Sequence, residues 1–189
     1  MDYQQALAVT TEIFRLYELH GAEDYIGEPV SQLEHMSQAA QLAELAGCRD
    51  EVVLAAFFHD IGHLCAANDA ASMHGYGVVD HEGLGAAYLE EKGFPSTLAQ
   101  LVGSHVEAKR YLTYKFPSYY EQLSVASRET LAMQGGPMTE EEAQVFESHP
   151  LYTDMVLLRE WDDQAKETDM PVPDLARYKE MAIRVLTQK

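Results

Sequence analysis

The 189-residue sequence has few cysteines, few basic residues and no long hydrophobic segment. Two cysteines, Cys48 and Cys65, are too few for a disulfide framework, so we expect reduced thiols in a cytoplasmic protein. No apolar run approaches the roughly 20 residues that span a bilayer, and no apolar block follows Met1 as in a signal peptide. We therefore expect neither a disulfide-stabilised secreted fold nor a membrane protein.

Positive charge is also scarce, since 31 acidic side chains stand against 13 lysines and arginines, for a net charge of -18. A surface this negative repels phosphate backbones, so we do not expect nucleic acid as a partner. If the protein binds an anion, its few basic residues should gather at one place.

Alternating apolar and polar residues, the pattern of a half-buried strand, are missing, and apolar residues recur with helical spacing almost throughout. The segments SQLE (31–34) and TEEE (139–142) have the spacing of capping boxes at helix starts. We predict a single all-α domain over residues 1–189. Its predicted helices are 3–19, 31–46, 50–63, 79–92, 96–111, 118–132, 139–147, 151–166 and 174–187.

The stretch FFHDIGHLC, residues 57–65, places His59, Asp60 and His63 in an otherwise apolar segment. Burying such groups without partners costs about several kcal/mol, so we expect a metal or water to satisfy them. Successive helix residues point about 100° apart, so His59 and Asp60 are poorly placed as two ordinary ligands of one ion. A carboxylate can bridge two ions roughly 3.5–4 Å apart. The pair therefore favours a dinuclear centre in which Asp60 spans both ions.

Three further histidines lie on separate predicted helices with apolar neighbours, namely His35 in LEHM, His81 in VDHEG and His105 in GSHVEAKR. With His59 and Asp60 they form the pattern H…HD…H…H over four helices, and bundle cores commonly hold such sites. Imidazole and carboxylate ligands suit iron, manganese or zinc, and the spacing does not choose among them. The remaining histidines without comparable context are interpreted as background: His20, His74 and His149.

These residues resemble the HD-domain superfamily, and specifically its mixed-valent di-iron oxygenases that cleave phosphonates. The resemblance runs from about residue 22 to residue 180. HD alone has modest specificity, whereas DYIGE with QLEH, AKRYL and QGGPM is more selective. The resemblance implies an HD-domain helical bundle with a dinuclear metal site in its core.

The resemblance also implies a ligand set for two iron ions in the Fe(II)/Fe(III) state, with the HD aspartate bridging them. The six implied ligands are His35, His59, Asp60, His81, His105 and Asp162. Asp162 is selected by the family's WD pair, because spacing alone left neighbouring aspartates such as Asp163 open. Mononuclear HD phosphohydrolases need only H…HD…D, so the two later histidines imply the second ion.

Basic side chains recur one helical turn from the implied ligands, where they can reach a metal-bound anion. The pairs are His59 with His63, His105 with Lys109, and Arg159 with Asp162. The resemblance implies that His63, Lys109 and Arg159 hold a phosphonate group, with Ser127 as a weaker candidate.

Tyr25 and Glu28 in DYIGE are similar to a mobile family segment. The resemblance implies that the tyrosine occupies an open iron position at rest and that the glutamate recognises a cationic nitrogen of the substrate. An ordinary surface turn is the alternative. Aromatic residues in RYLTYKFPSYY also suit a quaternary ammonium group, so the N-methylation of that nitrogen stays open.

The implied reaction uses O2 to cleave the C–P bond of a 1-hydroxy-2-aminoethylphosphonate or its N-trimethylated analogue. The implied products are inorganic phosphate and glycine or glycine betaine, with Asp60, Tyr25 and His63 as catalytic residues. Two alternatives remain, a metal-dependent HD phosphohydrolase acting on a small phosphate ester and a non-catalytic HD module that senses a ligand. The sequence leaves the oligomeric state open.

Overall fold

The computed structural model of the chain describes residues 1–25, 27–66, 70–73 and 75–188. Within these ranges the protein consists of helices, and the extended pairing is limited to isolated bridges between Asp24 and Ser31 and between Ser72 and Val78. The helices are α1 (Tyr3–His20), α2 (Gln32–Leu45), α3 (Asp50–Phe58), α4 (Ile61–Cys65), α5 (His81–Glu91), α6 (Ser96–Lys115), α7 (Pro117–Gln122), α8 (Val125–Met133), α9 (Glu140–Glu147), α10 (Tyr152–Gln164) and α11 (Ala176–Thr187). The predicted all-α class is confirmed.

Both predicted capping boxes are present. The Ser31 hydroxyl accepts from the Glu34 amide at the start of α2, and the Glu34 carboxylate accepts from the Ser31 amide. Thr139 and Glu142 make the same reciprocal pair at the start of α9. These bonds satisfy amides that have no partner within the helix, which is why the sequence fixes both helix starts locally.

The centre of the bundle is α3, whose residues from Val52 to Phe58 are all buried. It packs against α2, α6, α10 and α11, so it is covered on all sides, as expected for a helix that is apolar around its circumference. Phe57 stacks between Tyr17 of α1 and Tyr178 of α11, with ring centroids 4.8 and 4.6 Å away. The Tyr17 hydroxyl also donates to the Phe57 carbonyl at 3.2 Å. This core fixes the end of α3, where the HD pair lies.

Two predicted helices are each divided in the structure. The predicted helix 50–63 ends at Phe58 and resumes at Ile61, because Asp60 leaves helical geometry with φ -103° and ψ 13°. The predicted helix 118–132 is divided into α7 and α8, and the Ser124 side chain caps the second piece by accepting from the Ser127 amide. The first break matters for function, since His59 and Asp60 lie in a turn rather than inside a continuous helix.

The start of α4 is pressed closely against the start of α5. A Cβ atom added at Gly62 would lie 1.9 Å from the carbonyl oxygen of His81, so only glycine permits this approach. The close contact brings the first residue of α5 beside the HD pair.

Among the described residues, no helix is both long enough and apolar enough to cross a membrane.

Candidate metal centre and anion pocket

Six buried side chains from five parts of the fold converge beside the end of α3, and they form two groups of three possible metal ligands. One group is His35, His59 and Asp162; the other is Asp60, His81 and His105. In each group the ligand atoms lie within 4.8 Å of one another. These are the six residues that the sequence analysis expects as ligands, and the structure brings all of them together.

Asp60 lies between the two groups with one oxygen toward each. Its Oδ2 is 3.3 Å from His59 Nε2 and 3.6 Å from His35 Nε2. Its Oδ1 is 3.2 Å from His81 Nε2 and 3.4 Å from His105 Nε2. This orientation is the one that a carboxylate bridging two ions requires.

Backbone carbonyls orient the four imidazoles. Each Nδ1 faces a carbonyl oxygen, and the pairs are His35 with Ala165 at 2.9 Å, His59 with Ala56 at 2.8 Å, His81 with Val78 at 3.3 Å and His105 with Val102 at 2.9 Å. A carbonyl only accepts, so Nδ1 must be the protonated nitrogen of each neutral ring. Each Nε2 is therefore left as a bare acceptor that points into the centre, an arrangement typical of metal-bound histidine.

The bare nitrogens face one another in pairs. His35 Nε2 lies 3.0 Å from His59 Nε2, and His81 Nε2 lies 2.9 Å from His105 Nε2. Two lone pairs at this distance repel unless a proton or a metal cation lies between them. Two donors about 2.1 Å from one ion at a right angle would be about 3.0 Å apart, so the spacing fits a shared metal ion.

The pKa shifts in the metal-free protein also favour a cation among these side chains. Burial opposes protonation of His59, but the carboxylate of Asp60 outweighs burial and raises the pKa of His59 to about 9. Burial likewise raises the pKa of Asp60, yet the charge on His59 and hydrogen bonds from the histidines hold it well below its usual value. Cations are thus favoured among these ligands. Nitrogen and carboxylate donors without thiolate suit iron, manganese or zinc.

One pocket opens onto this centre, next to Asp60, His81 and His105. All the residues predicted to bind substrate line it, and they are Tyr25, Glu28, His63, Lys109, Ser127 and Arg159. The basic side chains His63, Lys109 and Arg159 of this acidic chain therefore gather around one pocket, as expected for a protein that binds an anion.

His63 reaches the pocket in a different way from the predicted one. It belongs to α4 and not to a continuation of α3, and its ring stacks on His81 with centroids 4.1 Å apart. Burial, together with the neighbouring His81, lowers the pKa of His63 to about 3, so the ring is neutral. The Val78 amide donates to His63 Nδ1 at 3.2 Å, which leaves the proton on Nε2. His63 is thus a neutral hydrogen-bond donor.

Lys109 is buried, and its ammonium group donates to the Thr130 hydroxyl at 2.9 Å. Burial and the nearby Arg159 lower its pKa to about 7. A bound dianion would reverse both effects, because it supplies the missing negative charge. Lys109 is therefore suited to take up a proton when an anion enters.

Arg159 is engaged by protein groups. Its Nη1 donates to Asp162 Oδ2 at 2.6 Å, its Nη2 pairs with Asp163, and its Nε donates to the Tyr119 hydroxyl at 3.0 Å. The bond from Nη1 holds Asp162 Oδ2. The other carboxylate oxygen, Oδ1, lies 3.3 Å from His35 Nε2. Arg159 thus orients Asp162, a candidate metal ligand, as well as lining the pocket.

Tyr25 and Glu28 lie in a turn that covers the centre. The Tyr25 ring stacks on His35 with centroids 3.9 Å apart, and burial raises its pKa well above the usual value, so the phenol is neutral. Glu28 donates its amide to the Tyr25 carbonyl, and its carboxylate pairs with Lys166 at 2.9 Å. Tyr25 and Glu28 therefore line the pocket, whereas Gly27 and Pro29 of the same turn are exposed at the surface.

Sequence reasoning did not assign the contacts that four residues make at this site, and they are Tyr119, Thr130, Asp163 and Lys166. Asp163 follows Arg159 by four residues, so helical spacing was a usable signal. The other three contact their partners across separations of 21 to 138 residues, for which the sequence offers no local signal.

The aromatic stretch after Lys109, whose rings could suit a quaternary ammonium group, does not line this pocket within the described residues. The aromatic residues that line the pocket are Tyr25 and Tyr76, and among the described lining residues none comes from 111–120. Of the three background histidines, His20 pairs with Glu23 on the surface, and His149 lines a groove elsewhere. His74 lies outside the described residues.

Comparison with known proteins gives consistent matches. A model of the HD domain matches residues 33–148. The chain is 44% identical over 188 residues to an uncharacterized protein of Acanthamoeba polyphaga mimivirus, covering 99% of this chain and 86% of the relative. It is 39% identical over 171 residues to the 1-hydroxy-2-(trimethylamino)ethyl phosphonate dioxygenase (glycine-betaine-forming) of Leisingera caerulea, covering 90% and 87%. It is also 39% identical over 170 residues to the hydroxymethylphosphonate dioxygenase of Gimesia maris, covering 89% and 83%.

Proposed function

Since this chain belongs to the HD-domain family, we propose that it is an O2-dependent di-iron oxygenase that cleaves the C–P bond of a small 1-hydroxyphosphonate. The observation that carries the proposal is Asp60, whose two oxygens each face a separate group of histidines beside a cationic pocket. A single-ion hydrolase would have no use for the second group. Identity to two relatives named as phosphonate dioxygenases supports the oxygenase chemistry.

The substrate class follows from what those two names share. Both compounds carry a phosphonate and a hydroxyl group on the same carbon, and they differ in the nitrogen-bearing arm. We assign this chain the same hydroxyl-carbon-phosphonate unit, with 1-hydroxy-2-aminoethylphosphonate or its N-trimethylated form as the preferred substrate. The products would be inorganic phosphate and glycine or glycine betaine.

His35, His59 and Asp162 would hold one iron ion, His81 and His105 the other, and Asp60 would bridge them. When bound in the Fe(II)/Fe(III) state, the pair would supply Lewis acidity and one-electron redox chemistry with O2, and the phosphonate substrate would be the net reductant. The protein's own contribution is to fix the ligands through backbone carbonyls and to exclude water by burial, since all six ligands are buried.

The phosphonate would be held by three groups with different roles. Lys109 takes up a proton and supplies full positive charge, His63 donates from Nε2 as a neutral group, and Arg159 offers fixed charge while orienting Asp162. Ser127, which also lines the pocket, would add a hydroxyl group. Together they place the anionic end of the substrate beside the metal ligands.

Tyr25 and Glu28 would control the other end of the pocket. The neutral phenol of Tyr25 covers His35 and must move aside for a substrate to reach the ion held there. Glu28 lines the same space and would face the cationic nitrogen of an aminated substrate. A turn that carries both residues couples substrate recognition to opening of the site.

The test is to load the purified protein anaerobically with iron and supply 1-hydroxy-2-aminoethylphosphonate with and without O2. We expect two iron ions per chain, O2 consumption and phosphate release that depends on O2. Equal phosphate release under strict anaerobiosis would contradict the oxygenase proposal. Hydrolysis of a small phosphate ester without O2 would instead identify a metal-dependent phosphohydrolase, and binding without turnover would identify a sensing module.

A pair of variants connects the activity to the bridging carboxylate. Asp60→Asn should lose iron and activity while retaining helical content in circular dichroism. Asp50→Asn removes the same charge from a surface pair with Arg184 and serves as the control. Full turnover in Asp60→Asn would contradict the proposed centre.

A further inference from the structure

Glu28, the residue assigned to the substrate's nitrogen, already has a cation bound to it. Lys166 Nζ lies 2.9 Å from Glu28 Oε1, and the two side chains are 17% and 10% exposed. A pair shielded to this extent is screened far less than a surface pair. Lys166 therefore strongly affects how Glu28 interacts with a third charge in the pocket.

Lys166 is held in place by the backbone around it. The preceding carbonyl, that of Ala165, accepts from His35 Nδ1. The following residue, Glu167, is bonded through both its amide and its carbonyl to the side chain of Gln38 on α2. Lys166 thus extends from a fixed segment and is not a freely moving surface lysine.

Glu28 lies in a turn that is also closed by backbone hydrogen bonds. Its turn is closed by bonds from the Glu28 amide to the Tyr25 carbonyl and from the Tyr25 amide to the Val30 carbonyl. Gly27 in this turn has φ +80°, and an added Cβ there would lie 2.9 Å from Ala126 of α8. The turn therefore contacts α8 at Gly27 and the Lys166 segment at Glu28.

We propose that Lys166 is a specificity-determining residue, a built-in counter-cation that competes with the cationic nitrogen of the substrate for Glu28. The inference rests on the proposed phosphonate substrate class. A carboxylate whose charge is already matched attracts an ammonium group less, while a substrate without nitrogen makes no use of it. Lys166 would thereby reduce the difference in binding affinity between aminated and nitrogen-free hydroxyphosphonates.

A purely structural role for Lys166 makes a different prediction. If Lys166 only tethered the turn, its loss would weaken the binding of every phosphonate alike. If its charge competes with the substrate, its loss strengthens the binding of cationic substrates alone. Comparing one aminated with one nitrogen-free ligand separates the two roles.

The experiment measures binding by calorimetry to the iron-loaded protein without O2, so that no turnover occurs. The probes are 1-hydroxy-2-aminoethylphosphonate and hydroxymethylphosphonate. Lys166→Gln retains a hydrogen-bond donor but removes the charge, and Lys166→Arg retains the charge. Lys179→Met removes one positive charge from a surface pair with Glu18 and is the control for net charge.

We expect Lys166→Gln to bind the aminated probe roughly tenfold more tightly, the scale of a gained charge-assisted hydrogen bond, and to bind hydroxymethylphosphonate unchanged. Lys166→Arg and Lys179→Met should resemble the parent protein. Equal weakening of both probes, or no change in either, would overturn the inference. Failure of the parent protein to bind either phosphonate would instead overturn the proposed function itself. If Lys166→Gln does not fold, the comparison passes to Lys166→Met, with the same expected results.

Discussion

Loading the metal-free protein with a divalent cation is expected to release protons, with His59 as a principal source. Asp60 raises the pKa of His59 to about 9, so in the absence of metal this buried ring carries a second proton, on Nε2, at neutral pH. A metal ion requires the bare Nε2 and must displace that proton. The cation and the proton therefore compete for one position.

The number of protons released follows from the raised pKa of His59. At about pH 7.5 a group with a pKa of about 9 is almost fully protonated, so His59 should release nearly one proton, falling to about a quarter near pH 9.5. The folded-state pKa lies above the ordinary value of 6.5, so the corresponding stabilisation of the metal-free protein is complete below about pH 6.5. This stabilisation, roughly 3 kcal/mol, is lost as the pH rises through about 9.

The assay is anaerobic calorimetry with Mn²⁺ in buffers of different ionisation enthalpy, which counts the protons released. Urea unfolding of the metal-free protein at several pH values tests the accompanying loss of stability. His59→Gln should lose the release attributed to this ring, whereas His20→Gln, at the surface, should retain it. Metal binding without proton release at neutral pH would refute the assignment of His59 as a ligand.

Two further substitutions test how the fold positions the site. Gly62→Ala should force His81 away from the second group of ligands, because the new Cβ would lie 1.9 Å from its carbonyl oxygen; we expect about one metal ion per chain by elemental analysis, and retention of two would contradict this. Gly103→Ala is the control, since its Cβ would meet its nearest neighbour at an ordinary 3.4 Å. Asp163→Asn should lower the free energy of unfolding in urea by roughly 3 kcal/mol, because it removes one charge partner of buried Arg159. A change below about 1 kcal/mol would show that Arg159 is held by its other partners alone.

Short-range patterns in the sequence determined much of this protein. The capping boxes at Ser31 and Thr139, the helical periodicity and the H…HD…H…H order were all readable, because each depends on residues close together in the chain or on burial of a helix face. The position of Asp162 was available only through the resemblance, since spacing alone did not separate it from Asp163. Lys109 and Arg159 were recognised because each lies one helical turn from an implied ligand, and both line the pocket.

Only the tertiary structure decided how these residues are used. The chain breaks at Asp60 between α3 and α4 where the start of α5 packs against Gly62, and this contact depends on segments distant in sequence. Lys166 meets Glu28 across 138 residues, and the Ala165 carbonyl orients His35 across 130. Local hydrogen bonding determines where helices begin, whereas the charge that each pocket residue presents is set by partners that only folding brings together.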